Sequence, residues 1–111
     1  MNVLILEDEF PAAKKIVYYL SEFLGSEFNY THLRSVKEGI DILKKMPSFD
    51  LILSDIKLLD GTSFEIFDTV YLSIPIIFCT AYEEHLLEAF KTNGIAYILK
   101  PFSKEEIKTA I

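Results

Sequence analysis

Cysteine, glycine, proline and positive charge are all scarce in this sequence. Its one cysteine among 111 residues, Cys79, excludes an internal disulfide. Four glycines, none closely paired, exclude the glycine-rich turn that a dinucleotide-binding enzyme places after its first strand. Lysine and arginine number 11 against 17 aspartates and glutamates, and a net charge of −6 argues against this chain alone gripping a phosphate backbone. Nucleic-acid binding, where there is any, is expected outside these residues. No charged start leading into a long apolar run and a small-residue cleavage site marks a signal peptide. The longest uncharged, apolar-rich stretch, 69–82, is broken by Pro75 and falls short of the roughly 20 residues that cross a bilayer. The expected location is cytoplasmic, with no membrane partner.

What is present is hydrophobic: 50% of the residues are hydrophobic and 25% charged, which excludes a disordered tail and suggests elements buried on both faces. A 12.8 kDa chain is expected to expose about 18,600 Å² unfolded and about 6,300 Å² folded, enough burial for one core without staples. The whole of 1–111 reads as one small acidic domain.

Along the chain, apolar runs rich in branched residues alternate with stretches of helical period, the pattern of a parallel sheet wrapped by helices. The repeat is strand then helix, five times. Residues 3–6 form the first apolar run; Pro11 near a helix start and Ala13, Ile16, Val17, Leu20, Phe23 and Leu24 on one face follow, closed by Gly25. Residues 28–33 alternate as an edge strand does, and Ser35 with Glu38 predicts a capping box before Ile40, Leu43 and Met46, with Pro47 ending that helix. Residues 51–53 are a buried-type strand, Asp60-Gly61 a turn, and 64–70 a short helix with Phe67 and Val70 inward. A fourth strand covers 74–79, with Pro75 at its start because it cannot donate to a ladder. Tyr82, Leu86, Ala89 and Phe90 keep helical spacing up to Asn93-Gly94, read as a left-handed cap. Residues 95–99 form the fifth strand, and Ser103 with Glu106 predicts a second capping box before Ile107 and Ala110, in a helix that reads as truncated.

In open α/β sheets the working crevice lies beyond the carboxyl ends of the strands. Those ends are unusually polar here: Glu7-Asp8-Glu9, Ser54-Asp55, Thr80 and Lys100-Pro101. If strands one, three, four and five are neighbours, Glu7, Asp8, Asp55, Thr80 and Lys100 converge on one pocket. Two carboxylates about 4 Å apart repel by roughly 4 kcal/mol at an effective dielectric near 20, so three of them need a cation. Oxygen-only ligands favour Mg²⁺, which retains waters and takes a phosphate as a further partner. The chemistry such a pocket supports is phosphoryl transfer to a carboxylate, which needs positioning and charge neutralisation more than covalent machinery. Asp55 alone among the acids directly follows a central apolar strand and is the candidate nucleophile. Lys100 and the Thr80 hydroxyl are placed to neutralise and hydrogen-bond the incoming oxygens.

These residues carry a resemblance to the receiver domains of bacterial two-component response regulators. LILEDE at 4–9, LILSDIKLLDG at 51–61, FCTAY at 78–82 and AYILKPF at 96–102 stand in the family's order and spacing over essentially the whole chain. The resemblance implies a doubly wound, flavodoxin-like five-stranded parallel sheet of order 2-1-3-4-5. It implies Asp55 as phosphoacceptor for a sensor histidine kinase, Glu7 and Asp8 as the acidic pair that holds Mg²⁺ with Asp55, and Lys57 as a backbone-carbonyl ligand. It further implies Thr80 as the switch hydroxyl, Tyr97 as the switch aromatic that turns inward, Lys100 as the phosphate-pairing lysine, and a cis bond before Pro101. Phosphorylation is then expected to change the surface of the fourth helix, fifth strand and fifth helix and favour homodimer pairing there. Within the family, LLEAFKTNGIAYILKPF resembles regulators that carry a LytTR-type DNA-binding domain. Such an output domain is absent from these residues, so DNA contact and transcription regulation are expected only through a longer parent protein.

Two positions depart from the pattern, and two more bear on hydrolysis. Glu7 stands where Asp is common, which lengthens the reach to the ion. Leu59 replaces a frequent proline, so its loop is expected to be less rigid. Lys57 and Tyr82, each two residues beyond a site residue, are positions that in this family influence water access, and their length and bulk are expected to slow hydrolysis of the phosphoryl group. Other readings of single residues exist. The acids alone also suit a helix N-terminus, Thr80 alone an N-cap, Tyr97 alone a core position, and Cys79 a buried small hydrophobe; His32 and His85 are too far apart in sequence to read as a metal pair. The rival at the level of function is a degenerate receiver that keeps the fold as a phosphorylation-independent interaction module. The chain is not expected to be an enzyme acting on an independent substrate; it promotes only its own modification.

Overall fold

The computed structural model describes residues 1–25, 28–45, 48–70, 73–91 and 94–110. Its elements in order are β1 (Asn2–Leu6), α1 (Phe10–Leu24), β2 (Asn29–Leu33), α2 (Val36–Leu43), β3 (Leu51–Ser54), β4 (Lys57–Leu58), β5 (Gly61–Thr62), α3 (Ser63–Thr69), β6 (Ile76–Thr80), a 3-10 turn (Glu83–His85), α4 (Leu86–Lys91), β7 (Gly94–Leu99) and α5 (Lys104–Ala110). Five strands form one sheet in the order β2-β1-β3-β6-β7, all pairs parallel. This is the expected doubly wound order, with β6 and β7 as its fourth and fifth strands. β4 and β5 form a separate two-stranded antiparallel ribbon, where the sequence indicated only the Asp60-Gly61 turn.

The continuous apolar runs are explained by burial on both faces. On β1, Leu4 and Leu6 point into a core with Val36 and Leu43 of α2, Phe64 and Ile66 of α3, and Ala89 of α4. Val3 and Ile5 point the other way, against Ile16 and Leu20 of α1 and Ile107 of α5. At roughly 1.5–3 kcal/mol for each fully buried aliphatic side chain, neither face can be vacated. The accessible surface, 6196 Å², agrees with the size scaling.

Local signals set most element ends. Gly25 takes φ 67° and its N–H donates to Ser21, closing α1 in the left-handed conformation that favours glycine. Ser103 and Glu106 exchange both capping-box bonds. At α2 the box is half formed: Ser35 Oγ accepts the Glu38 N–H, while the Glu38 carboxylate turns to Ser35 Oγ and the Arg34 N–H. Asp60, from the ribbon, supplies the rest of that cap by accepting the Val36 and Lys37 amides at 2.6 and 3.1 Å. In α3 the buried residues are Ser63, Phe64 and Ile66, with Phe67 and, just past the helix, Val70 only partly buried. Gly94 opens β7; Asn93, with which it is read as a cap, lies outside the described residues, as do Met46 and Pro47.

A candidate metal and phosphoryl site

Parallel register delivers the polar strand ends to one level. Leu6 is paired with Ser54, so Glu7 and Asp55 emerge side by side, and the ladder runs on through Asp55 N–H to Leu6 O at 2.8 Å. Thr80 pairs with Leu99, and the Lys100 N–H donates to Thr80 O at 2.8 Å. Glu7, Asp8 and Asp55 each present a carboxylate oxygen within 4.8 Å of the others. Lys100 Nζ reaches across the sheet to Glu7 Oε1 at 2.6 Å and Asp55 Oδ2 at 2.9 Å. Asp55 Oδ1 accepts the Ile56 N–H at 2.7 Å, which fixes the plane of its carboxylate. The Lys100–Pro101 bond is cis.

Burial sets the electrostatics. Glu7 is 1% exposed, and this desolvation pushes its carboxyl up to about 7, with the Lys100 hydrogen bond opposing and the Asp55 charge adding to the rise. Lys100 pays a desolvation cost too, but its bonds to Glu7 and then Asp55 outweigh that and hold the ammonium above its ordinary value. Cys79, behind the pocket, is buried and pushed up to about 12 by desolvation, which makes it an inert core residue. Among the described residues the ligand set is the three carboxylates of Glu7, Asp8 and Asp55, with no sulfur or nitrogen ligand, the chemistry that suits a hard, oxygen-preferring Mg²⁺.

The remaining candidates line the rim. Thr80 is fully buried at the end of β6, and its Oγ1 accepts the Tyr82 N–H at 3.4 Å. Tyr97, half-buried against Phe78 with ring centroids 6.3 Å apart, donates its hydroxyl to the Tyr82 carbonyl oxygen. Both backbone groups of Tyr82 are therefore held, one by each of the two expected switch residues. Lys57 is exposed, and its Nζ stands 4.1 Å from the centre of the Tyr82 ring.

Several contacts around the pocket were not legible from the motifs. His32 Nε2 lies 2.7 Å from Glu7 O, and Arg34 Nε donates to Asp8 O at 3.0 Å. The Leu59 N–H donates to Arg34 O at 3.2 Å. A proline at position 59 could not form this bond, having no N–H. No local sequence signal encodes these bonds, since each joins segments 25 or 26 residues apart.

Residues 3–111 match the response regulator receiver domain family. The chain is 33% identical over 114 residues to the transcriptional regulatory protein LytR of Staphylococcus aureus, and 33% identical over 119 residues to the sensory transduction protein LytT of Enterococcus faecalis. Both alignments cover all of this chain and 46% of the relative, so the chain spans about half the length of the curated relatives it matches. Among solved structures, the response regulatory domain of mrkE from Klebsiella pneumoniae superposes with a TM-score of 0.80 at 27% identity, over 99% of this chain and 91% of that one. The non-phosphorylated HemR receiver domain from Leptospira biflexa gives 0.80 at 22% identity, over 98% and 89%. A doubly wound parallel sheet, a buried acidic cluster with its lysine, and these likenesses lead to one conclusion: the chain belongs to the response regulator receiver domains, and its function is that of a phosphoacceptor of the LytR-like kind.

Proposed function

We propose that Asp55 is the phosphoacceptor and that it takes the phosphoryl group from a phosphohistidine of a partner sensor kinase. The observation that carries this reading is the Lys100 ammonium shared between Glu7 and Asp55 beside a third carboxylate. In the transfer the phosphorus–nitrogen bond breaks, a bond forms between phosphorus and an Asp55 oxygen, and the histidine leaves as neutral imidazole after taking up a proton. Glu7, Asp8 and Asp55, with the Lys57 carbonyl, are the residues that would hold Mg²⁺. When bound, that ion supplies neutralisation of the phosphoryl oxygens. Lys100 supplies the second positive charge, already desolvated and aimed at Asp55. The Ile56 amide holds one Asp55 oxygen so that the carboxylate does not rotate away.

Thr80 and Tyr97 carry the switch. A phosphoryl oxygen on Asp55 accepts the Thr80 O–H, and movement of Thr80 toward it stretches the long 3.4 Å bond from the Tyr82 N–H, which disturbs the residue whose carbonyl Tyr97 holds. The two switch residues are thus coupled through a single peptide segment, and the change reaches the surface of α4, β7 and α5, where a second copy would pair. Lys57 against the Tyr82 ring screens the pocket mouth from water and prolongs the aspartyl phosphate. The longer protein from which this domain would act is a cytoplasmic, DNA-binding transcription regulator with its output domain beyond residue 111. No described helix is long and apolar enough to cross a membrane.

Treatment with acetyl phosphate and Mg²⁺ tests the reading. A mass gain of one phosphate, lost in Asp55→Asn, is the expected result; no gain in the wild-type chain leaves a phosphorylation-independent module instead.

A further inference from the structure

We infer that His32 and Arg34, on and just beyond the edge strand β2, are positioning residues that aim Glu7 and Asp8 into the pocket. The inference rests on the reading of those two acids as metal-holding groups. It starts from the peptide bond, which is planar, so that a residue's direction is set by the two planes on either side of its Cα. The plane before Asp8 contains the Glu7 carbonyl, held by His32 Nε2 at 2.7 Å. The plane after it contains the Asp8 carbonyl, held by Arg34 Nε at 3.0 Å, and the Glu9 N–H, held by Glu7 Oε2 at 3.1 Å. Both planes that flank the Asp8 Cα are pinned, and both carbonyl anchors come from the same short stretch of chain. The preceding plane is fixed by the same stretch, through Glu7 N–H to Leu33 O at 3.0 Å.

A carbonyl oxygen only accepts, so His32 Nε2 carries the hydrogen in this contact. Phe10 holds the two donors in place. Its ring lies 4.3 Å beneath the Arg34 guanidinium carbon and meets the His32 ring edge-on at 5.9 Å between centroids. The need for such a bracket follows from charge. Glu7, Asp8 and Asp55 repel one another, and among the described residues no side-chain hydrogen bond to the Asp8 carboxylate opposes its turning out to solvent; the backbone anchors do. Arg34 also accepts the Leu59 amide, so one residue ties the acidic loop to the loop that follows Asp55.

The test compares Arg34→Met, His32→Leu and His32→Gln with the wild-type chain by Mg²⁺ titration calorimetry, urea unfolding in EDTA, and metal-free ¹H–¹⁵N spectra. Arg34→Met and His32→Leu should each weaken Mg²⁺ binding about tenfold, the lower range for partners that orient metal ligands. His32→Gln, whose side-chain amide puts an N–H donor in place of Nε2–H, should stay within about twofold of wild type. Labelling by acetyl phosphate should need more Mg²⁺ in the weakened variants yet reach the same maximal rate. In the metal-free spectra of Arg34→Met, the Asp8 and Glu9 amides should shift while those of α5 stay. A merely structural role predicts lower stability with Mg²⁺ affinity unchanged, and that result, or His32→Gln as weak as His32→Leu, overturns the inference. A wild-type chain that binds no Mg²⁺ overturns the reading of the pocket; the bracket is then judged by the metal-free spectra, where unmoved Asp8 and Glu9 amides overturn it independently.

Discussion

Replacing Lys100 with methionine isolates the electrostatics of the pocket. The substitution keeps most of the side-chain volume and removes the charge that stands 2.6 Å from Glu7 and 2.9 Å from Asp55. Without it, two buried carboxylates with oxygens within 4.8 Å repel by about 3.5 kcal/mol at an effective dielectric near 20. Measurements on broken buried ion pairs bracket the same range, about 3–5 kcal/mol. Acid should relieve most of this, because Glu7 already sits near 7 through desolvation and loss of Lys100 drives it higher. At pH 8 in EDTA the variant keeps Glu7 protonated, at about 1.4 kcal/mol for each pH unit above the wild-type value near 7, so Lys100→Met is expected to lose about 2–3.5 kcal/mol of unfolding free energy. At pH 5.5, with Glu7 protonated, the loss should shrink to about 1–2 kcal/mol, the cost of the missing charge-assisted hydrogen bond to Asp55. Urea unfolding followed by far-ultraviolet circular dichroism at the two pH values measures the difference. Equal losses at both would refute the reasoning, because they would mean that Glu7 and Asp55 do not share one dry space.

Further outcomes follow from other parts of the molecule. In the wild-type chain without metal, the raised Glu7 pKa means that the folded state binds the extra proton between the ordinary value of 4.5 and about 7. That contribution, on the order of 3 kcal/mol, is fully present below the lower value and is lost as pH rises through the upper one; thermal melts in EDTA from pH 4.5 to 8 should show it, and saturating Mg²⁺ should flatten it. Gly39→Ala would put a Cβ 2.5 Å from Ile66 Cδ1. Overpacking of about 1–3 kcal/mol should outweigh the helix-propensity gain of about 1 kcal/mol, and adding Ile66→Val, which deletes that methyl, should recover the difference in a double-mutant cycle. Tyr82→Ala and Lys57→Met should each shorten the lifetime of the Asp55 phosphoryl group severalfold, and the double variant should do little more, since either change opens the same 4.1 Å contact; a wild-type lifetime of seconds in purified protein contradicts the screening role.

The sheet was legible because burial on both faces leaves unbroken apolar runs, and residues 3–6, 51–53 and 76–79 could hardly be anything else. The pocket residues were legible because each follows such a run and parallel register does the rest. Less could be read where stability comes from distant partners. Asp60 caps α2 across 24 residues, and its carboxyl, though it pays some desolvation, is held below the ordinary range by the Val36 and Lys37 amides; nothing near Asp60 in the sequence announces that. The 83–91 segment begins as a 3-10 turn before α4, because three polar residues precede its first leucine and the helical period starts late. His32 carried no motif at all, and its place beside Glu7 emerges only from the β1–β2 register, which sets it opposite Ile5.

Leu59 holds its loop by a bond that can open. A prolyl ring would restrict the chain at every temperature, whereas the Leu59 amide is released whenever its local stretch fluctuates away from Arg34 O. The same excursion loosens the residue whose guanidinium reaches Asp8. Warmth or mild denaturant should accordingly erode cation affinity well before the core gives way, with deuterium uptake at Leu59 as the early sign.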